Sequence, residues 1–356
     1  MKFDLFFELP LAGAAHQDEV RLYREVIAQC ELADRLGYRT AWLVEHHFMP
    51  GYSHSSAPDL LLSAIAMRTR QLRLGLAVVP LPYHHPVSVT ERLATLDVIS
   101  EGRVEFGFGR GFSPREHLCF GSDMAQAREH TGQALHVIRE SLVSAQFKPA
   151  PGYEMLTGEP LVPRPVQAED LPTWMACVSP DSFTRAAELQ VNVLAGPFKP
   201  WFMTKRDIRS YHRACNKKAV SPGYVGMATG ILCLPDGKQA RQLAREHFVW
   251  FYQQLLEVTR PVLEQLYEGY DEYRRYGKLT GLFEKLLDLR TLEWAGMVIV
   301  GDPAHCIKRL QQLADAGVDH VLLAVGAGVM PDEVIRESMQ LLAEKVMPAF
   351  AGSDAG

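Results

Sequence analysis

The sequence predicts a (β/α)8 barrel carrying insertions. Short apolar runs alternate with amphipathic helical runs almost to the end of the 356 residues. Most of the short runs are apolar at consecutive positions, as expected of strands buried on both faces in parallel βαβ units. About eight such units close a barrel, which typically takes about 250 residues. The surplus of about 100 residues is assigned to insertions at 110–130, 148–171 and 259–296. Residues 1–356 are read as one domain. A doubly wound sheet is the main alternative; the lack of a proper dinucleotide fingerprint weighs against it.

Phe3–Leu9 is a continuous apolar run and the first strand. Glu19–Leu36 has helical spacing (Val20, Ile27, Leu32, Ala33) and stops at Gly37, since glycine takes positive φ freely at a helix end. Thr40–Glu45 is strand, and Asp59–Arg70 is helix after Pro58. Leu72–Leu81 is strand, Val87–Ser100 helix, Val104–Phe108 strand and Asp123–Ala145 a long helix. Lys148–Leu171 is rich in proline and glycine and reads as an excursion. The rhythm then resumes. Thr173–Val178, Val191–Ala195, Tyr224–Leu234, Met297–Val300 and His320–Val325 are strands. Ser182–Leu189, Lys205–Ala214, Gln239–Val258, Ala304–Ala316 and Asp332–Phe350 are helices. The stretch 259–296 is rich in charges and aromatics (Tyr267, Tyr270, Tyr273, Tyr276) and poor in β-branched residues. It is expected to be a helical excursion or a lid over the barrel mouth.

Apolar residues make up 47% and charged residues 22%, which excludes wholesale disorder. A net charge of -5 argues against a nucleic-acid-binding surface. The longest uncharged stretches, Leu74–Thr90 and Ala219–Pro235, are broken by Pro, Gly or His, so neither reads as a membrane span. Asp4 and Glu8 interrupt the first apolar run, a poor signal peptide. Six cysteines (Cys30, Cys119, Cys177, Cys215, Cys233, Cys306) show no C-x-x-C spacing and read as free thiols. A cytoplasmic protein with no metal is expected.

The chemistry is expected where strands end, because barrels build their sites at the strand C-termini. Glu45-His46-His47-Phe48 sits at such an end. Successive strand side chains point to opposite sides, so one histidine can face the mouth while the other packs outward, and shared chelation of a metal is disfavoured. Ala77 and Val78 end the third strand with small residues, letting a flat ligand lie close to the backbone or simply forming a buried strand. Tyr83-His84-His85-Pro86 is read as organising its loop. In Gly107-Phe108-Gly109-Arg110-Gly111-Phe112 the third glycine comes one residue early for a Rossmann loop. The glycines still allow close backbone approach, and Arg110 is a natural clamp for phosphate or carboxylate. In Val178-Ser179-Pro180-Asp181-Ser182, Ser then Pro marks a helix start, which offers either plain capping or an anion site. No nucleophile elbow, Walker loop or H-x-H pair appears, which points to a phosphate-bearing cofactor.

These residues identify a resemblance. The chain resembles the bacterial luciferase-like family of flavin-dependent monooxygenases, especially the luciferase α subunit, over nearly its whole length. The likeness is densest at Trp42–Phe48, Arg73–Pro86, Leu96–Asp123 and Val300–Met347. Glu45-His46-His47-Phe48, Gly102–Gly107 with Arg110-Gly111, and Phe120-Gly121-Ser122-Asp123 carry it most specifically. It implies a barrel that binds reduced FMN (FMNH2) and reacts it with O2 through a C4a-hydroperoxide, fed by a separate NAD(P)H:flavin reductase. It implies catalytic roles for His46 and its neighbour His47. It implies a cis peptide at Ala77-Val78 under the flavin ring, phosphate contacts from Arg110 and Arg128, and further cofactor contacts from Glu45, Gly109, Phe112 and the Cys177–Ser182 segment (Cys177, Val178, Ser179, Ser182). A homodimer acting on a small molecule such as an aldehyde, ketone or secondary metabolite is the expected assembly. The chain departs from the luciferases in having Gly109 in place of a reactive cysteine, and Cys177-Val178 in place of an acidic residue and a serine. Two alternatives stand beside this expectation: an F420-dependent hydride-transfer enzyme, and a catalytically inactive flavin-binding partner subunit.

Overall fold

The computed structural model describes residues 1–13, 15–196, 199–269 and 287–351. In chain order the elements are β1 (Lys2–Phe7), α1 (His16–Leu36), β2 (Thr40–Leu43), α2 (Pro58–Ala66), β3 (Arg73–Pro80), α3 (Pro86–Ile99), β4 (Val104–Gly109), α4 (Pro114–Cys119) and α5 (Ala127–Ser144). A two-stranded antiparallel ribbon follows, β5 (Gln146–Phe147) and β6 (Glu159–Pro160). Then come β7 (Thr173–Cys177), α6 (Pro180–Leu189), β8 (Asn192–Ala195), α7 (Trp201–Lys218), β9 (Val225–Cys233), α8 (Gly237–Gly269), α9 (Leu289–Trp294), β10 (Val298–Gly301), α10 (Pro303–Ala314), β11 (His320–Ala324) and α11 (Asp332–Leu341).

All nine predicted strands form. β1, β2, β3, β4, β7, β8, β9 and β11 pair in parallel and close on themselves, because β9 pairs with β8 through Val193↔Val225 and β11 pairs with β1 through Lys2↔His320. β10 adds to the C-terminal half of β9. The fold is a (β/α)8 barrel. Every residue of β2, β4, β9, β10 and β11 is buried, the two-sided burial that their unbroken apolar runs demand.

The bottom of the barrel is plugged by large residues near the strand N-termini. Trp42 and Trp174 cross edge to face with ring centroids 5.4 Å apart. Their indole N–H groups donate to buried carboxylates, Trp42 to Asp4 at 3.1 Å and Trp174 to Glu105 at 2.6 Å. Glu105 also accepts from Arg39 at 2.8 Å and Arg73 at 2.6 Å, so its charge is paired although it is wholly buried. The open end is therefore the C-terminal mouth.

Several boundaries differ from the sequence reading for identifiable reasons. The long helix predicted from Asp123 starts at Ala127, because the Asp123 carboxylate accepts from the Ala125 N–H at 2.8 Å and holds a turn there. The last helix ends at Leu341 and continues as a π turn, Leu342–Val346, then a 3-10 turn, Met347–Phe350. Pro348 has no N–H to continue the α-helical pattern. Helix α7 runs from Trp201 to Lys218, longer than predicted; its many charges had masked the periodicity. The six-residue α4 inside the 110–130 insertion is too short to show a period. Within the predicted lid, residues 259–269 continue α8 and Leu289–Trp294 form α9; the remainder, 270–286, lies outside the described residues.

Candidate functional site

The ends of β1 to β4, β7 and β8, with α5 and the start of α6, enclose a cavity of about 220 Å3 at the mouth. One part of its wall is apolar and shallow. Ala77 and Val78 form it with Ala176, Leu194, Ala228 and Leu322. The Ala77-Val78 peptide is cis, as the family resemblance implied. At this point β3 leaves its ladder with β4, pairing through Leu76↔Phe106 and resuming at Val79↔Phe108. Gly107 makes the irregularity possible: a Cβ there would lie 2.1 Å from the Leu76 carbonyl oxygen. Gly109 does the same beside Val78, whose Cγ2 would be 2.7 Å from an added Cβ. The close approach read from these glycines is thus made first to the protein's own third strand.

The opposite end is cationic. Arg110, Arg128 and Arg185 line it, together with Ser179, Asp181 and Ser182 at the start of α6. Arg128 lies 3.8 Å from Asp181, and Arg185 pairs with Glu188 at 3.0 Å. The two hydroxyls are committed to the helix start. Ser179 Oγ accepts from the Ser182 N–H, while Ser182 Oγ donates to the Ser179 carbonyl at 2.6 Å and accepts from the Val178 N–H at 3.1 Å. An anion at this end would meet guanidinium groups and helix dipole, with those hydroxyls already used.

His46 stands at the wall between these regions. Its backbone N–H donates to the Ser55 carbonyl at 2.9 Å. Its ring is bracketed by Tyr52 and Phe112, with centroids at 5.4 and 5.3 Å. Nε2 lies 3.9 Å from Glu8, and Nδ1 lies 3.9 Å from Glu116. Burial pushes the imidazole down to about 4, despite the opposing pull of Glu45. Burial pushes Glu8 up to about 8, with Tyr52 beside it acting the other way. Near neutral pH the histidine is therefore a neutral base and Glu8 a neutral acid. Burial also raises Glu116, against the His47 backbone N–H at 2.7 Å and the Tyr83 hydroxyl at 3.1 Å, both of which donate to it.

Most residues singled out from the sequence meet here: Glu45, His46, Ala77, Val78, Gly109, Arg110, Phe112, Arg128, Val178, Ser179 and Ser182 all line the cavity. Two do not. His47 turns outward, with Nε2 3.1 Å from Glu45 and its ring edge-on to Phe120 at 4.7 Å. Cys177 is buried, its thiol directed to the Ser182 carbonyl at 3.4 Å and pushed up to about 12 by burial. His47 lies in the loop beyond β2, where strand alternation no longer applies, and its contacts with Glu45 and Phe120 hold it away from the cavity. Cys177, the last residue of β7, is held by the Ser182 carbonyl while its neighbours Ala176 and Val178 face the cavity. Glu45 is held below the usual carboxylate range: burial opposes this, but His47 and His84 outweigh it. His84 reaches Glu45 at 2.5 Å, and His85 caps α3 by accepting from Val87, so that pair does organise its loop. Glu8, Glu116 and Arg185 were missed. Glu8 was read only as a charge interrupting an apolar run, though a carboxylate among consecutive apolar residues was itself a signal. Among the described residues no group of His, Cys, Asp and Glu is arranged to hold a metal ion, and no helix is long and apolar enough to cross a membrane.

Comparison with known proteins places this geometry. Residues 1–320 match the family model described as luciferase-like monooxygenase. The 4-hydroxyprotoasukamycin monooxygenase of Streptomyces nodosus subsp. asukaensis is 27% identical over 366 residues, covering 98% of this chain and 92% of that protein. The oxygenase component of the flavin-dependent trigonelline monooxygenase of Acinetobacter baylyi is 29% identical over 199 residues, 55% of this chain. The chain spans about half the length of several curated relatives that it matches, 54% in that case. Among solved structures, the monooxygenase RslO1 of Streptomyces bottropensis superposes with a TM-score of 0.83 at 25% identity, covering 99% of this chain and all of the other. The oxygenating constituent of 3,6-diketocamphane monooxygenase of Pseudomonas putida, solved in complex with FMN, shares the fold with a TM-score of 0.79 at 19% identity over 98% of each chain.

Proposed function

The chain belongs to the luciferase-like monooxygenase family, and from that premise we propose that it is the oxygenase of a two-component system. In this reading it takes reduced FMN from a separate reductase and uses O2 to oxidise an organic substrate such as an aldehyde, a ketone or a secondary metabolite. The observation that carries the reading is the two-ended cavity, apolar and shallow at Ala77-Val78 and cationic at Arg110, Arg128 and Arg185. A flat heteroaromatic ring with a phosphate tail matches both ends. The space beside Gly109, which a Cβ would fill, is consistent with a ring lying against Val78.

Reduced FMN supplies the two electrons that, with O2, place one oxygen atom in the substrate and the other in water. The protein's own contributions are binding, orientation and proton handling. Arg110 and Arg128 hold the phosphate, with the dipole of α6 behind them. Ala77 and Val78 set the plane of the ring. His46, neutral in its apolar setting, takes or returns a proton at Nε2. Phe112 and Tyr52 hold its ring and keep water from it. A reductase partner accords with the missing dinucleotide fingerprint, and the trigonelline relative is named as an oxygenase component.

Stopped-flow absorbance tests the proposal. Protein with photoreduced FMN, mixed with oxygenated buffer, should give an absorbing transient that outlasts free-flavin reoxidation and decays faster with a true substrate. His46→Ala should abolish turnover while FMN affinity stays within about tenfold, the behaviour of a proton-handling group with little share in binding. Immediate reoxidation to free FMN would favour an F420-dependent hydride-transfer enzyme or an inactive flavin-binding subunit. An F420 titration would then decide between those two.

A further inference from the structure

A second cavity, of about 230 Å3, lies beside the first. It is bounded by the β1–α1 segment Leu9–Ala12, by Asp18, Arg21 and Glu25 on α1, and by residues 326–330 after β11. Among the described residues only Phe6 and Glu8 line both cavities. We propose that Glu8 is a proton-relay residue of the monooxygenase site, passing protons between solvent in the second cavity and His46 in the first. The inference rests on the function proposed above and adds to it a route that bypasses the substrate.

The geometry is specific. Glu8 is 7% exposed, and its buried Oε2 has no hydrogen-bond partner. That same oxygen lies 3.9 Å from His46 Nε2, a gap that one bridging water or a small rotation closes. On the site side Glu8 also faces Tyr52, from the loop after β2, and Tyr252, from α8. On the side of the second cavity, Arg21 is engaged by Asp18 at 3.0 Å and Glu25 at 3.7 Å. Burial keeps the proton on Glu8 and off His46 near neutral pH, which sets a donor beside an acceptor.

The chemistry favours such a route. The reaction breaks the O–O bond, forms a C–O bond on the substrate and releases the second oxygen as water, with both electrons coming from the reduced flavin. When the flavin enters as its monoanion, one further proton is consumed per turnover to complete that water. Where the bound flavin and substrate fill the mouth and keep water from the reacting atoms, this proton is best supplied from another side. A carboxyl shared with a separate cavity, whose wall carries Asp18, Arg21 and Glu25, can deliver it.

Glu8→Gln tests the relay, because it keeps shape and removes the titrating proton. In the wild type, the ring ¹⁵N shifts of His46, assigned by their loss in His46→Gln, should show an inflection near pH 8 as Glu8 ionises. In Glu8→Gln that inflection should vanish. Its kcat should fall at least about tenfold with KM and FMN affinity unchanged, and the wild-type limb of the pH profile near 8 should disappear. Leu22→Trp, which fills the second cavity from α1, should lower kcat in the same way. The relay is overturned if wild-type His46 shows no inflection between pH 7 and 9, a measurement that does not depend on Glu8→Gln folding. It is overturned equally if Glu8→Gln keeps the wild-type kcat and pH profile. Failure of the wild type to bind FMN or to give an oxygen-dependent transient would instead sink the monooxygenase reading, whatever the inflection shows.

Discussion

Gly109 shows how a single residue sets the site. Its φ is ordinary, so alanine meets no backbone objection; the obstacle is the Val78 methyl 2.7 Å from the new Cβ. Val78 is β-branched and has little rotamer freedom with which to yield. Gly109→Ala should therefore push Val78 into the cavity, at a stability cost of about 1–3 kcal/mol for overpacking. FMN affinity should weaken about tenfold or more, read by fluorescence quenching; an unchanged affinity would show that the flavin does not lie against Val78. His46 and Glu8 illustrate the electrostatic counterpart. Each has its proton affinity displaced by the same cause, burial, and the displacements run in opposite directions because one is charged when protonated and the other when not.

At the scale of elements, the start of α6 is held from below by an ion pair. Lys199 and Asp207 are both buried and in contact, and the Lys199 ammonium also donates to the Val178 carbonyl. The same ammonium lies 5.6 Å from the Phe183 ring centroid. β7, α6 and α7 are thus tied at the point where the cationic end of the cavity begins. Lys199→Ala should cost about 3–5 kcal/mol, because it leaves Asp207 buried without its counter-charge. Chemical denaturation measures this directly, and a loss below about 1 kcal/mol would mean the pair is dispensable. The double change Lys199→Met with Asp207→Leu should recover much of the loss, as apolar replacements of buried pairs commonly do.

For the whole molecule, the two buried groups predict a pH dependence of stability. Glu8 holds its proton in the folded state up to about pH 8, against an ordinary value of 4.5. Its contribution is complete below pH 4.5 and is lost as pH rises toward 8. His46 is depressed from 6.5 to about 4, so its contribution is complete above pH 6.5 and is lost as pH falls toward 4. Between pH 4.5 and 6.5 the two slopes oppose each other. Between 6.5 and 8 Glu8 acts alone, and stability from this pair should fall by about 2 kcal/mol, at about 1.4 kcal/mol per pH unit. Urea midpoints across that range should show the decline in the wild type and not in Glu8→Gln. A flat wild-type profile would mean that Glu8 is already ionised at pH 6.5.

While Arg128, on α5, was reached only through the family resemblance, the sequence by itself determined the eight barrel strands and the added β10, most helices and the strand-end mouth at which His46, Ala77-Val78 and Arg110 would meet. These follow from local rules: the length and period of apolar runs, glycine and proline punctuation, and the placement of barrel sites at strand ends. Only the tertiary structure decided which neighbour in a pair turned inward, His46 over His47 and Val178 over Cys177. It alone spent the Ser179 and Ser182 hydroxyls on a helix start and set Gly107 against the Leu76 carbonyl. It alone put Glu8 at 3.9 Å from His46 and Arg185 into the cationic end. Those outcomes depend on strand pairing and helix packing, which set β1 beside β2 and bring Arg128 of α5 within 3.8 Å of Asp181 on α6. Distances between residues far apart in the chain, and the burial that moves their proton affinities, exist only once the ring of strands is complete.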